Sequence, residues 1–286
     1  MGGTLLAELT GDDLYAELIM LRSNDSRYFV IVEGVADVAV LDRFADLRDC
    51  VPTAAYGKES AHACLKRVIA DNFDGVFAVL DRDWVGLLPG DLQDERIVHT
   101  DYYDLDSCIF FSEGTYEGMA SSFCAGGGFR VGAEGCTSRE LHSSCIEMAF
   151  PIGVLRFISE RDGLGLNLGK FPLSEVIGPD LKVDVDSLLR VTLSRTKGTK
   201  ILPEDLSVTF HEALKIIKDK SRYCAGHDLA KAFSILIKRR WNGKIGADVV
   251  ERSARSSIDV ENFRKMSIYS DAKKWVEGSD KSIWRV

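Results

Sequence analysis

The chain has 286 residues, 45% of them hydrophobic and 28% charged, a balance typical of a globular protein with a sizeable core. No apolar run approaches the ~20 residues of a membrane span, and the acidic N-terminal stretch lacks the basic start of a signal peptide. We therefore expect a cytoplasmic protein without a membrane partner. Seven cysteines without close pairs indicate reduced thiols rather than a disulfide framework.

Charge is distributed unevenly along the chain. The formal total is −8, yet residues 221–286 carry 14 Lys and Arg against 8 Asp and Glu, a net of +6, which leaves −14 for the residues before them. An acidic first part beside a basic last part fits a metal site next to a phosphate-binding surface. Unevenly charged solvated faces explain the same numbers equally well.

Strand and helix patterns alternate over the first ~110 residues, as is typical of a parallel, helix-covered sheet. Short apolar runs predict strands buried on both faces, and apolar residues at helical spacing predict the helices between them. The predicted strands are 29–32, 51–56, 76–80 and 96–99, and the predicted helices are 11–23, 35–44 and 60–70. The sequence therefore predicts an α/β fold.

The remainder is predicted to be mostly helical. Gly and Ser are frequent at 112–136, including the run at 126–128, and predict a loop. Helical patterns follow at 141–158 (interrupted at Pro151), 185–193, 206–218 and 229–240, with a short strand around 164–171. We divide the chain into an N-terminal helical segment at 1–25, a sheet domain at 26–111 and a mostly helical C-terminal domain at 112–286.

Acidic residues follow two of the predicted strands. Glu33 ends the first, and Asp37 comes one helical turn later. Asp81 and Asp83 follow the strand at 76–80, and on an extended segment both would point the same way. If these strands are neighbours, the carboxylates meet at the carboxyl edge of the sheet, where open α/β folds bind ligands. Hard oxygen ligands without a nearby His or Cys favour Mg²⁺ or Mn²⁺, which assist phosphodiester hydrolysis.

The same residues resemble a known family. A strand ending in Glu-Gly, an Asp four residues after the Glu and a later strand ending in Asp-x-Asp is similar to the TOPRIM pattern, carried here by VIVEGVADVAVLDRF and VFAVLDRDW. The Asp after VEG resembles the overcoming-lysogenization-defect (OLD) type of TOPRIM nuclease. The stretches VHTDYYDLD and CAGHD resemble the TOPRIM nuclease effectors of ATPase-linked PARIS antiphage systems.

This resemblance implies a TOPRIM-like sheet and an endonuclease that uses Mg²⁺ (or Mn²⁺). Glu33 would be a metal ligand and acid/base residue, and Asp37, Asp81 and Asp83 would bind metal. Asp106 would be a further ligand, at a position where many relatives carry the longer Glu. The resemblance also implies a toxic effector in antiphage defence, held by an ABC-type ATPase partner and a homodimer when free. Its substrate would be RNA, with tRNA among the expected targets, or DNA.

Two further residues join the predicted site as catalytic candidates. Lys58, after Gly57 at a strand end, is placed to neutralise transition-state charge, and a solvated lysine explains it equally well. His227 precedes a helix and would face a phosphate or the metal, whereas an N-cap by Asp228 is the structural explanation of that stretch. The bases of Lys238-Arg239-Arg240-Trp241 suit either nucleic-acid contact or the end of a helix dipole.

Other functions are kept as alternatives. Asp81-x-Asp83 imitates the nucleophile motif of haloacid-dehalogenase phosphatases, but Trp84 stands where that motif has Thr, and Glu33 would have no role. A TOPRIM binding or scaffold protein without turnover is an alternative from another class, against which the intact carboxylates argue. Zinc binding is disfavoured because no compact zinc knuckle has the spacing of the candidate ligands, which are Cys124, Cys136, His142 and Cys145.

Overall fold

The strands of the first part of the chain form one parallel sheet. The computed structural model describes residues 10–90, 92–124 and 127–285, and within these ranges four strands pair in the order β2-β1-β3-β4. They are β1 (Tyr28–Val32), β2 (Cys50–Ala54), β3 (Val76–Leu80) and β4 (Ile97–His99). The predicted α/β fold with a parallel sheet is confirmed. β1 and β3 are neighbours, with Phe29 paired to Val76.

Twelve α-helices occur in the described ranges. In the first part they are α1 (Gly11–Arg22), α2 (Val35–Leu41) and α3 (Lys58–Ala70). The others are α4 (Leu105–Phe110), α5 (Thr115–Phe123), α6 (Ser138–Arg161), α7 (Val185–Arg195), α8 (Pro203–Ile216), α9 (Gly226–Trp241), α10 (Ala247–Ser257), α11 (Val260–Lys265) and α12 (Ser267–Trp275). Short 3₁₀ helices lie at Leu173–Glu175 and Ser221–Tyr223.

The chain divides into two compact units, and their boundaries differ from the predicted ones. The sheet unit comprises Met1–Asp101 and Asp259–Val286, and the helical unit comprises Tyr102–Ile258. The predicted boundary at 111/112 therefore lies inside the helical unit, and residues 10–25 of the predicted N-terminal segment belong to the sheet unit. Residues 1–9 of that segment, like Gly126 of the predicted loop, lie outside the described residues.

Helices α1 and α3 cover one face of the sheet. Because side chains alternate along a strand, Phe29 and Ile31 of β1 point to the same face, where they join a buried cluster with Leu18 and Leu65. Helix α1 begins at a capping box formed by Thr10 and Asp13. This cluster is the core of the sheet unit.

The end of the chain returns to the sheet unit, which the sequence did not predict. Trp275 of α12 packs on Phe77 of β3 with ring centroids 5.1 Å apart, and Phe263 of α11 stacks on Phe44 at 4.1 Å. Trp284 forms an antiparallel bridge with Ala45. A parallel sheet needs apolar cover on both faces, and these aromatic residues supply the second one.

The helical unit departs from the predicted pattern in three places. Helix α6 continues through Pro151 without a break, α5 occupies part of the predicted loop, and residues 164–171 form no strand. Among the described residues, α6 alone is long and apolar enough to cross a membrane, but 61% of its most apolar window is buried. Such burial is typical of a core helix. All seven cysteines fall in the described ranges and are buried thiols, as predicted.

Candidate functional site

Glu33 lies at the carboxyl edge of the sheet, directly after β1. Two backbone hydrogen bonds fix the loop after β2 beside it, because Ala55 N donates to Val32 O at 2.8 Å and Gly57 N donates to Glu33 O at 2.9 Å. Gly34 then caps α2. The chain around Glu33 is therefore held on both sides, and its side chain is half-buried.

The pairing of β1 with β3 brings Asp81 to Glu33. The Asp81 backbone N–H donates to Oε1 of Glu33 at 3.2 Å. This contact joins the ends of two neighbouring strands. From the sequence, the acidic ends of these strands were expected to meet if the strands paired. The contact to Glu33 comes from the backbone of Asp81, so the side chain of Asp81 is not used in it.

Asp83 reaches the same place by a turn rather than by an extended strand. Strand β3 ends at Leu80, and Asp83 has a left-handed φ of +40°, so the alternation used in the sequence argument does not apply. Its carboxylate forms an ion pair with the ammonium of Lys58, the first residue of α3. Lys58 is 46% exposed and Asp83 17%, so the pair lies at the mouth of the site.

Arg82 anchors this turn away from the carboxylates. Its backbone N–H donates to Oγ1 of Thr100 at 3.0 Å, and its guanidinium Nε donates to the Thr100 carbonyl at 2.6 Å. Thr100 follows β4 and is buried. The turn that carries Asp81 and Asp83 is thus tied to the next strand of the sheet.

Asp37 has a structural task in addition to its predicted one. One of its carboxylate oxygens accepts the Gly34 N–H at 2.9 Å and closes the first turn of α2. The residue is half-buried and close enough to Glu33 to raise the pKa of that carboxyl.

The pKa of Glu33 is raised from its ordinary 4.5 to about 7. Burial is the largest cause, and the negative charges of Asp83 and Asp37 act in the same direction, while Lys58 and the Asp81 N–H lower it. A carboxyl with such a pKa exchanges protons near neutral pH, which is the property of a general acid or base.

The donors at this edge suit a divalent cation in kind. Within the ranges that the structure describes, no three His, Cys, Asp or Glu side chains are already arranged as a metal ligand set. However, the carboxylates of Glu33, Asp37, Asp81 and Asp83 are the hard oxygen ligands that Mg²⁺ and Mn²⁺ prefer. Burial and, after it, the charges of Asp83 and Asp37 raise the pKa of Glu33, and a cation at this edge would lower it again.

Asp106 lies in the helical unit, where it is engaged by an arginine. Its Oδ1 accepts from Arg255 Nε at 2.7 Å, and its Oδ2 pairs with the Nη2 of the same guanidinium. Glu251, one helical turn before Arg255, lies 4.0 Å from that group. Both oxygens of Asp106 are used in this ion pair, and its role as a metal ligand stays a prediction.

His227 lies at the start of α9, and the structure does not support an N-cap by Asp228. The helix begins at Gly226 with Ala225 as its cap, so Asp228 is already in the first turn. Asp228 is 1% exposed and pairs with Arg156, and His227 Nε2 lies 3.1 Å from its Oδ1. Burial alone would raise the pKa of Asp228, but Arg156 and His227 hold it well below its usual range.

Asp104 is a polar residue of this unit that the sequence reasoning missed. Its carboxylate caps α4 through Ser107 N at 2.7 Å and also accepts Gly226 N, the first amide of α9, at 2.9 Å. Burial and the nearby Asp106 raise its pKa to about 6. The spacing Asp-x-x-Ser before an apolar run could have indicated the α4 cap, but nothing local indicated the link to α9.

The basic stretch at the end of α9 is partly occupied by structural contacts. The Arg239 guanidinium donates to the carbonyls of Ile177 and Gly178, and Arg240 donates to the Gly135 carbonyl at 3.3 Å. All three basic residues are exposed, but these contacts to backbone carbonyls are made by the two arginines. The arginines therefore hold loops of the helical unit, and the lysine is the better candidate for contact with a polyanion.

Comparison with known proteins adds no family. The chain matches no protein-family model and no curated protein. The resemblance to TOPRIM nucleases thus stays a prediction from the sequence motifs.

Proposed function

We propose that this chain is a Mg²⁺- or Mn²⁺-dependent nucleic-acid phosphodiester hydrolase of the TOPRIM type, with its site at the carboxyl edge of the sheet. The observation that carries the proposal is the state of Glu33. It is half-buried, it has a pKa of about 7, and it lies beside Asp83 and Lys58 with the Asp81 N–H on its carboxylate. Few structural roles require a carboxyl in such a state.

The residues of the chain have distinct tasks in this proposal. In the chain without metal Glu33 has a pKa of about 7; a cation bound beside it would lower this pKa and favour the ionised carboxylate, which is the form that accepts a proton from an attacking water. Lys58 is exposed enough to exchange its partner Asp83 for a phosphate oxygen. A divalent cation held by Glu33, Asp37, Asp81 and Asp83 would supply Lewis-acid stabilisation of the phosphoryl charge.

The biological setting is proposed from the resemblance alone. The chain would be a toxic effector in antiphage defence, located in the cytoplasm and restrained by an ABC-type ATPase, with tRNA among its targets. A scaffold protein with a silent TOPRIM site has no need for a carboxyl with a pKa near neutrality beside the ion pair of Lys58 and Asp83. For that reason we favour the enzyme.

Cleavage by the purified chain tests the proposal. Labelled tRNA, single-stranded DNA and duplex DNA are incubated with the protein in Mg²⁺, in Mn²⁺ and in EDTA. We expect metal-dependent cleavage by the wild type and a loss of about 10²- to 10⁴-fold in Glu33→Gln. Glu59→Gln, an equal change at an exposed position of α3, is the matched control and should retain activity.

Two results would overturn the proposal. One is undiminished cleavage by a folded Glu33→Gln protein. The other is a wild-type protein that cleaves none of the three substrates and binds neither metal in calorimetry.

A further inference from the structure

Tyr56 is a large aromatic side chain that the fold leaves in solvent. It follows β2 and precedes Gly57 and α3, and it is 44% exposed. A single exposed aromatic is common on protein surfaces and means little by itself. The backbone conformation of Tyr56 and its position beside Glu33 distinguish it from other exposed aromatic residues.

The backbone of Tyr56 is in the left-handed region, with φ of +58°. Six non-glycine residues of the described ranges lie in this region: Asn72, Asn242 and Asp83 are of types that enter it readily, Lys170 and Leu181 are not, and Tyr56 is the only aromatic residue among the six. Such strained residues concentrate at functional sites. Tyr56 and Asp83, the two that follow strands of the sheet, flank Glu33 on either side.

Two backbone hydrogen bonds hold Tyr56 beside Glu33. The residue before Tyr56 donates its N–H to Val32 O, and the residue after it donates to Glu33 O. Tyr56 is therefore held between two hydrogen bonds, one to the last residue of β1 and one to Glu33, and lies ~5 Å, one strand spacing, from the backbone of Glu33. Tyr56 therefore has a strained backbone conformation although its aromatic ring is not buried.

We propose that Tyr56 is a stacking platform for an unpaired base of the substrate, and that the substrate is single-stranded where it meets Glu33. This inference rests on the proposed nuclease function. Base stacking on aromatic rings is the common way in which proteins hold single-stranded nucleic acid, since every base has a π-face. Lys58, two residues away, would take the phosphate of the same strand. Bases within a duplex are already stacked and cannot use the ring.

Fluorescence of a stacked base tests this role. The probe is a short oligouridylate with one 2-aminopurine, used single-stranded and annealed to an oligoadenylate that carries one uridine opposite the 2-aminopurine. The proteins carry Glu33→Gln to prevent cleavage, with Tyr56 intact or changed to Phe or Asn. Phe keeps the ring. Asn removes it but tolerates the left-handed backbone, so the melting temperature should not fall.

We expect quenching of 2-aminopurine by the Tyr56 and Tyr56→Phe proteins on the single strand, and not on the duplex. Tyr56→Asn should lose the quenching and bind the single strand roughly 5- to 150-fold more weakly. Cleavage by the wild-type chain, measured separately, reports on the nuclease proposal itself.

The outcomes separate the two proposals. If Tyr56→Asn binds and quenches like Tyr56→Phe while the wild type cleaves, the stacking role is wrong and the nuclease proposal stands. Equal binding of duplex and single strand, or a chain that binds no oligonucleotide at all, also overturns the inference. If Tyr56→Asn binds normally but no longer associates with a partner protein, Tyr56 is a docking residue instead.

Discussion

The Lys58 ammonium and the Asp83 carboxylate form an ion pair at the carboxyl edge of the sheet, and the two charges shift the pKa of Glu33 in opposite directions. Asp83 raises the pKa of Glu33, whereas Lys58 lowers it. Burial is the largest cause of the raised pKa of Glu33, and the charges carried by the turn after β3 and by the first residue of α3 adjust it. Neither residue is next to Glu33 in the sequence.

The two partners of this pair should shift the pKa of Glu33 in opposite directions when they are removed. Asp83→Asn removes a negative charge and leaves Lys58, so we expect a lower pKa. Lys58→Met removes the positive charge and leaves Asp83, so we expect a higher one. Carbon-13 NMR titration of the Glu33 carboxyl measures both. Shifts in the same direction would contradict the assignment of these charges to Glu33.

The ionised form of Glu33 should cost stability in the protein without metal. The pKa is about 7 in the folded chain and ordinarily 4.5, so the folded state binds the proton more tightly between these values. The contribution of Glu33 to the free energy of unfolding is therefore fully present below pH 4.5 and is lost as the pH rises through 7. Because Gln cannot ionise, Glu33→Gln should be more stable than the wild type above pH 7, by about 1 to 3 kcal/mol.

Urea unfolding at pH 8 and at pH 4.5 checks this expectation. The advantage of Glu33→Gln should be present at the higher pH and nearly absent at the lower one. Glu59→Gln, at an exposed position, should show no such change. A difference between Glu33→Gln and wild type that is equal at the two pH values would mean that the effect comes from packing and not from charge.

Divalent metal should stabilise the folded chain through the same carboxylates. A ligand that binds only the folded state at 100 times its dissociation constant adds about 2.7 kcal/mol. We expect Mg²⁺ or Mn²⁺ to raise the melting temperature of the wild type, and to raise it much less in Asp81→Asn. Asp42→Asn, an exposed aspartate at the end of α2, is the control. An equal response of the two Asn variants in calorimetry would place the metal elsewhere.

The sequence predicted the sheet well because its signal is local. Each strand is a short apolar run between turn residues, and the predicted strand at 76–80 coincides with β3. That Glu33 and Asp81 meet needed one further fact, the pairing of β1 with β3, which an apolar pattern cannot supply.

What the sequence did not predict depends on contacts between distant residues. Trp275 packs on Phe77 although the two are far apart in the sequence. No periodicity in either segment indicates this contact. Likewise, the ion pair of Asp106 with Arg255 and the turn at Asp83 follow from tertiary structure. For the same reason the last residues of the chain were predicted to belong to the helical domain.

The lysines and arginines near the end of α9 should respond differently to neutralisation. Lys238 and Lys244 are exposed, so Lys238→Gln with Lys244→Gln should leave stability nearly unchanged. If both contact phosphates, the slope of log affinity against log salt should flatten by about 2. Arg239→Gln should lower the free energy of unfolding by about 0.5 to 1.5 kcal/mol, because the carbonyls of Ile177 and Gly178 lose a charged donor at an exposed position. A slope that does not change would remove this surface from substrate binding.

The buried pair of Asp228 and Arg156 separates a structural from a catalytic role for His227. Asp228→Asn leaves the buried guanidinium uncompensated, and we expect a loss of about 3 to 5 kcal/mol in the free energy of unfolding. His227 is 39% exposed, so His227→Gln should change stability far less. If His227→Gln keeps its stability but loses cleavage at least tenfold, the histidine acts in the reaction. If His227→Gln cleaves at the wild-type rate, His227 has only a structural role beside Asp228. The candidate catalytic residues are then Glu33 and Lys58, at the carboxyl edge of the sheet.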